Sequence, residues 1–114
     1  MTVKDVNADN WEKEVMTSSA LTLVEFWHEN CPRCLRLSPI LDELADEFKD
    51  RVRFLRLNVL SNSDNRETAV HHGVMGTPTV MFFFEGRNVG IMVGLIEKDN
   101  LRETIIGIVE KQRI

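Results

Sequence analysis

A buried strand that leads into an amphipathic helix is the feature that most restricts the fold of this chain. Residues Leu21–Trp27 are nearly all apolar or β-branched, which is typical of a strand covered on both faces in an α/β sheet. Residues 32–49 repeat apolar side chains at helical spacing and predict a helix. Pro32 suits the first turn of that helix, whereas Pro39 lies inside it and is expected to kink it.

The rest of the chain continues the alternation of helices and strands. We predict helices over residues 8–16, 61–72 and 98–111, and strands over Val52–Asn58, Thr79–Phe84 and residues 88–93. Asn7 is the expected cap of the first helix. Helices between the first strands require crossovers and hence parallel neighbours, while the short turn at 85–87 makes the last two strands antiparallel. We therefore expect an α/β fold, with a central mixed β-sheet flanked by helices on both faces.

Length and charge restrict the domain organisation and the classes of partner. The 114 residues fit one domain that spans residues 1–114. The net charge is −4, and the 14 basic and 18 acidic residues are interspersed, so no clustered basic face indicates a nucleic-acid partner. No apolar stretch approaches the ~20 residues of a membrane helix. The first residues also lack the pattern of a secretory signal, and a cytoplasmic location is expected.

Only two cysteines are present, and they lie three positions apart, at Cys31 and Cys34. A disulfide that closes so short a loop stabilises a fold very little, so redox chemistry explains the pair better than crosslinking. Zinc is the alternative, with ligands completed by His28, His71 or His72. However, zinc sites usually have four ligands, and adjacent histidines lack the usual spacing of three to five residues.

Thiol–disulfide exchange needs one thiolate that attacks and a second thiol that resolves the mixed disulfide. Cys31 lies at the predicted helix start, where free backbone N–H groups and the helix dipole stabilise a thiolate. Cys34 lies one turn later and is expected to be more covered. We therefore interpret Cys31 as the nucleophile and Cys34 as the resolving thiol. The positive charge of Arg33 is expected to favour the reduced state and to make the disulfide form a stronger oxidant.

An ordered set of motifs resembles the thioredoxin family. The matching segments are residues 24–27, the motif Cys31-Pro32-Arg33-Cys34, residues 38–44, 76–79 and 82–87, and Val93-Gly94. The similarity extends from about residue 11 to residue 109 and is more specific than a Cys-x-x-Cys pair alone. It implies a thioredoxin fold and a protein-disulfide oxidoreductase that needs no metal or organic cofactor beyond the redox-active disulfide Cys31–Cys34. It also implies substrate proteins with disulfides or dithiols, and a reductase or small thiol as electron donor.

The same resemblance suggests a role for a carboxyl group in the buried strand. Glu25 occupies the position of a buried aspartate in the family and is implied to be the proton acceptor of the resolving cysteine. Burial should raise the pKa of this carboxyl. The alternative is a solvated glutamate at a frayed strand end. Arg56 stands where the family often has a lysine, and either an ion pair with Glu25 or a solvated position is possible.

Three further positions match parts of the site that meet the substrate. Pro78 matches a cis-proline beside the active-site disulfide, and Thr77 would offer its backbone to an extended substrate segment. Trp27 resembles a tryptophan that covers the site, although it is also a candidate core residue.

The chain departs from the family at the motif itself, where Pro32 and Arg33 replace Gly-Pro and Asn30 replaces an aromatic residue. These changes are expected to alter the reduction potential and the surface that meets the substrate. They also favour the alternative function of a redox-sensing or partner-binding module with little turnover.

Overall fold

In the computed structural model, which describes residues 3–113, helices cover both faces of a five-stranded mixed sheet. The strands are β1 (Val3–Asp5), β2 (Leu21–Trp27), β3 (Val52–Asn58), β4 (Thr79–Phe84) and β5 (Arg87–Val93). The helices are α1 (Pro32–Glu47), α2 (Ser63–His71) and α3 (Lys98–Gln112). The predicted α/β fold is confirmed.

The strand order β1-β3-β2-β4-β5 places β2 in the middle of the sheet. It pairs in parallel with β3 and antiparallel with β4, and β4 and β5 form the expected antiparallel hairpin. A central strand has neighbours on both edges and helices on both faces, which explains the nearly continuous apolar composition of β2. Its last residue, Trp27, leads directly toward the cysteine motif.

Successive side chains of β2 face opposite sides of the sheet. Leu21 and Leu23 belong to the core under α1 and α3, whereas Val24 and Phe26 belong to the core on the opposite face. By this alternation, Glu25 lies on the face that α1 covers. The helix that begins at the cysteine motif therefore packs over the side of the sheet that carries the buried carboxyl group.

The sequence missed the edge strand β1, which pairs in parallel with β3. Three residues are too few to show a periodic pattern. The helix predicted over residues 8–16 was also wrong in type. The chain forms a 3₁₀ turn at Ala8–Asn10 and a short π-helical segment at Glu12–Met16.

Asn7 is the N-cap residue of the 3₁₀ turn, as expected. The Asn10 side chain accepts from the Asn7 N–H at 2.8 Å. Asn7 Oδ1 also accepts a hydrogen bond from Asn65 Nδ2 at 3.0 Å, so a residue distant in the sequence contacts this cap.

Asn65 is a fully buried polar residue that connects three parts of the chain. Its Oδ1 accepts from the Ala8 N–H at 2.7 Å, and its Nδ2 also donates to the Asn58 carbonyl and to Ser61 Oγ, each at 3.0 Å. These bonds satisfy the buried amide. They also fix the start of α2 against the end of β3, and this region lies beside the candidate site.

The remaining helix boundaries differ from the prediction by a few residues. The chain stays α-helical through Pro39, so the proline does not interrupt α1. α2 begins later than predicted because Asn62 caps it, accepting from the Asn65 N–H at 2.8 Å. None of the helices within residues 3–113 combines the length and apolar character needed to cross a membrane.

Candidate active site

Cys31 and Cys34 form a disulfide at the start of α1, with their Cα atoms 5.2 Å apart. Cys31 is the N-cap residue, and Pro32 occupies the first turn as predicted. The Cys34 N–H donates to the Cys31 sulfur at 3.2 Å. Cys31 is 7% exposed and Cys34 is 1% exposed. Cys31, at the helix start, is therefore the more exposed of the two residues, and a backbone donor already points at its sulfur.

The surface around the motif carries positive charge. Arg33 and Arg36 are both exposed on the first turns of α1, and neither forms an ion pair with a described residue. Leu35 between them is 53% exposed. A target that approaches the disulfide therefore meets two guanidinium groups and an apolar side chain.

His28 shapes the turn between β2 and the motif. Its carbonyl accepts from the Cys31 N–H at 3.3 Å, and its Nδ1 accepts from the Asn30 N–H at 3.2 Å. These two bonds hold the loop that presents Cys31 at the end of β2.

The loop before β4 lies at the same end of the sheet as the motif. β4 begins at Thr79, which pairs with Phe26 near the end of β2. The peptide bond between Thr77 and Pro78 is cis, as the resemblance implies. The Pro78 carbonyl accepts from the Gly94 N–H at 2.8 Å, which ties this loop to the end of β5.

Trp27 is partly buried at the end of β2. The Arg56 guanidinium carbon lies 5.6 Å from its ring centroid, within the range of a cation–π contact. The indole Nε1 is buried and has no hydrogen-bond partner among the described residues. Trp27 is thus partly buried and in contact with Arg56, the charged residue that reaches Glu25.

Glu25 is buried in the centre of β2, with only 1% of the residue exposed. Its Oε1 lies 3.6 Å from Arg56 Nη2, and Arg56 Nη2 also donates to Ser38 Oγ on α1 at 2.9 Å. The ion pair suggested by the sequence is therefore present. The alternative of a solvated glutamate at a frayed strand end is wrong.

Burial raises the pKa of Glu25 to about 7, because the charged form loses its hydration. The positive charge of Arg56 opposes this rise in pKa, and the carboxylate of Asp42 adds to it. Glu25 Oε2 has no hydrogen-bond partner among the described residues. A carboxyl in this state changes protonation near neutral pH, which suits a group that takes up and returns a proton.

Sequence reasoning missed two neighbours of Glu25, namely Ser38 and Asp42. They lie four residues apart on α1, so they share one helical face. Ser38 hydrogen-bonds Arg56, and Asp42 acts on the Glu25 carboxyl. In the sequence, the signal for these two neighbours was a pair of polar residues, Ser38 and Asp42, beside the apolar stripe of the predicted helix.

The two adjacent histidines end α2 but have different surroundings. His72 packs against Trp11 and Phe83, with ring centroids 5.1 and 5.4 Å apart respectively. Burial lowers the pKa of His72, and neighbouring His71 lowers it further. Burial therefore favours the neutral form of His72. Within residues 3–113, no group of three or more His, Cys, Asp or Glu side chains is placed to hold a metal ion.

Comparisons with known proteins agree with this geometry. The family model described as Thioredoxin matches residues 2–107. Thioredoxin from Rickettsia prowazekii (strain Madrid E) is 33% identical over 103 residues, which cover 90% of this chain and 95% of the relative. Thioredoxin from Acidithiobacillus ferridurans is 36% identical over 96 residues, covering 84% and 86%. Thioredoxin M-type, chloroplastic, from Pisum sativum is 33% identical over 103 residues, covering 90% and 58%.

The family match covers most of the chain and coincides with a mixed sheet, a helix-start cysteine pair and a cis-proline loop. The chain therefore belongs to the thioredoxin family and is a thiol–disulfide oxidoreductase that acts on protein disulfides.

Proposed function

We propose that the reduced protein donates electrons to protein disulfides, with Cys31 as nucleophile and Cys34 as resolving thiol. The observation that carries this assignment is the position of Cys31. It caps α1, its sulfur accepts from the Cys34 N–H, and it is more exposed than Cys34. Backbone donors at a helix start stabilise a thiolate, the form of cysteine that attacks.

The reaction proceeds in two exchanges. In the first, the Cys31 thiolate attacks one sulfur of the target disulfide, the target S–S bond breaks, and the departing target thiolate takes up a proton. In the second, the Cys34 sulfur loses its proton and attacks the Cys31 sulfur. The Cys31–Cys34 bond forms and the second target thiolate leaves and is protonated. The target gains two electrons and two protons. The protein loses the two electrons, the proton of Cys34, and the proton that Cys31 released to solvent when its thiolate formed.

Glu25 is the proposed acceptor of the Cys34 proton. Its pKa of about 7 allows it to be ionised when the thiol must be deprotonated and to release the proton afterwards. It lies on the sheet face covered by α1, the helix that carries Cys34. Arg56 acts as a positioning residue that holds Glu25 through the ion pair.

The substrate side of the site consists of Trp27, Thr77 and Pro78. Thr77 precedes the cis-proline in the loop at the same end of the sheet as the motif, and its backbone is the proposed partner of an extended target segment. Trp27 closes the neighbouring side. Pro32 starts the helix and Arg33 tunes the charge at its first turn.

The redox centre is made entirely of protein sulfur, and we propose that the reaction uses no metal or organic cofactor. A reductase or a small thiol regenerates the dithiol. We also propose a cytoplasmic location, because both cysteines of the sequence belong to the redox motif and no structural disulfide is formed.

Catalysed reduction of insulin, with dithiothreitol as the electron source, tests this function. We expect the protein to accelerate precipitation of the insulin chains repeatedly, with many turnovers per molecule. A rate no higher than that of dithiothreitol alone would contradict the proposal and favour the redox-sensing or partner-binding module. A denatured sample of the same protein controls for residual thiols.

The charge of Arg33 is expected to raise the reduction potential of the pair. Arg33→Gly should shift the potential to a more negative value by roughly 10–30 mV, because the thiolate of the reduced form loses a nearby positive charge. Equilibration with glutathione measures this shift. Arg33→Lys retains the charge and serves as the control. An unchanged or higher potential in Arg33→Gly would show that the charge does not tune the site.

A further inference from the structure

A groove of about 370 Å³ opens beside the cysteine motif, and we call it the Arg66 groove. Its wall includes His28, Leu60, Arg66, Val70, Met75 and Thr77. His28 belongs to the loop that presents Cys31, and Thr77 precedes the cis-proline. The groove therefore touches both loops that a target disulfide has to approach.

The exposed wall of this groove is largely apolar. Leu60 is 53% exposed, Val70 is 64% exposed and Met75 is 98% exposed. Large apolar side chains that stand open to water around a concave surface favour the binding of an apolar partner group. In the proposed reaction, the cysteine of a target segment is bonded to Cys31 and its backbone lies along Thr77. Such a segment would continue into this wall.

The charge of the groove is opposite to that of the whole chain. Arg66 is exposed and forms no ion pair with a described residue, and no Asp or Glu is among the described residues that line the groove. The carboxylates of α2, Asp64 and Glu67, line a separate cavity that also contains Trp11. Glu29, the residue after His28, lies outside the lining residues, and its carboxylate accepts from Asn58 Nδ2 at 3.1 Å. The groove wall itself therefore carries the positive charge of Arg66, although the net charge of the chain is −4.

We propose that the Arg66 groove selects target segments that place an apolar side chain and a carboxylate close to the reactive cysteine, and that Arg66 is the residue that recognises the carboxylate. This inference rests on the proposed reduction of protein disulfides. The occupant is an extended acidic–apolar segment of a target protein. The exposed Arg33 and Arg36 on the motif side of the site favour the same sign of charge in the target.

Three disulfide peptides test the preference. They are identical, with a leucine near the cysteine, except for one neighbouring position that is Glu, Gln or Lys. With dithiothreitol as electron source, we expect kcat/KM to fall in the order Glu, Gln, Lys, with about a fivefold difference between the extremes, as expected for exposed charge pairs. The difference should shrink at 0.5 M NaCl, because the charges are screened.

Arg66→Glu should reverse the order of the three peptides. Arg66→Gln removes the charge without reversing it and should abolish the differences between the peptides, and it replaces Arg66→Glu if that variant does not fold. Arg87→Glu is the matched control. It changes the net charge by the same amount at the first residue of β5, which pairs with Phe84 at the end of β4 away from the motif, and should leave the peptide order unchanged.

The outcomes separate this inference from the proposed function. Equal kcat/KM values for the three peptides, or an order that survives Arg66→Glu, would overturn the role of Arg66 while leaving disulfide reduction intact. No reduction of any peptide would overturn the proposed function itself. Sedimentation that shows a dimer abolished by Arg66→Glu would assign the groove to a second copy of the chain and also overturn the inference.

Discussion

Replacing Cys31 with serine is expected to abolish catalysed disulfide reduction. The hydroxyl is not ionised at neutral pH, so no nucleophile remains at the exposed start of α1, and Cys34 is only 1% exposed. In the insulin assay with dithiothreitol, the rate should fall on the order of 10³-fold or more, to the uncatalysed level, as for loss of other catalytic nucleophiles. The fold should survive, because the disulfide closes too short a loop to stabilise it strongly.

Cys34→Ser is the matched variant. It leaves the Cys31 nucleophile in place but removes the resolving thiol, so a target should stay bonded to Cys31 as a mixed disulfide. Non-reducing electrophoresis and mass spectrometry would detect this product and identify the bonded residue. If Cys31→Ser, and not Cys34→Ser, trapped targets as mixed disulfides on its remaining cysteine, the two roles would have to be exchanged.

Replacing Glu25 with glutamine is expected to change the pH dependence of stability more than any other single carboxyl substitution. The pKa of Glu25 rises from 4.5 to about 7 on folding. The contribution of protonated Glu25 to the free energy of unfolding is fully present below pH 4.5, where the carboxyl is protonated in both the folded and the unfolded state. This contribution is lost progressively as the pH rises to about 7, because the folded state holds a proton that the unfolded state releases. The loss amounts to about 3 kcal/mol and is complete at higher pH.

Glutamine does not titrate, so the variant should lack this loss. Its free energy of unfolding relative to the wild type should rise by about 3 kcal/mol between pH 4.5 and pH 8. Urea unfolding at pH 4.5, 6 and 8 measures the difference. Glu103→Gln, at an exposed position on α3, should show no comparable change. A constant difference between Glu25→Gln and the wild type across this range would mean that the carboxyl is not held neutral by burial.

The same substitution should slow the second exchange. Without a carboxylate to accept the Cys34 proton, turnover should fall on the order of tenfold, at the low end for loss of a general base because a thiol also loses its proton unaided. The rate should then no longer rise with pH around 7. Normal turnover by Glu25→Gln across pH 6–9 would remove the proton-transfer role and leave Glu25 a structural residue.

The strands that the sequence predicted well are those inside the sheet. The limits of β2, β3 and β4 match the prediction, because each of these strands has neighbours on both edges and buries most of its apolar side chains. The short edge strand β1 has no such pattern. The irregular type of the helical segments before β2 could not be predicted either, because Asn65, which is distant in the sequence, hydrogen-bonds both the Asn7 side chain and the Ala8 N–H.

The candidate site likewise contains parts that the sequence predicts and parts that it does not. Cys31 and Cys34 are neighbours in sequence, so spacing and the following helix predict their chemistry directly. The surroundings of Glu25 arise when β3 and α1 pack together, and only Arg56 was anticipated among its partners. The Arg66 groove joins His28, Arg66 and Thr77, which lie far apart in the chain, and no local pattern connects them.

The most direct test of the account is alkylation of the reduced protein with iodoacetamide at pH 7, followed by peptide mapping. We predict that Cys31 reacts faster than free cysteine, because the start of α1 stabilises its thiolate, and that Cys34 remains largely unmodified under the same conditions. An unreactive Cys31, or faster modification of Cys34, would contradict the assignment of Cys31 as the ionised sulfur that attacks protein disulfides.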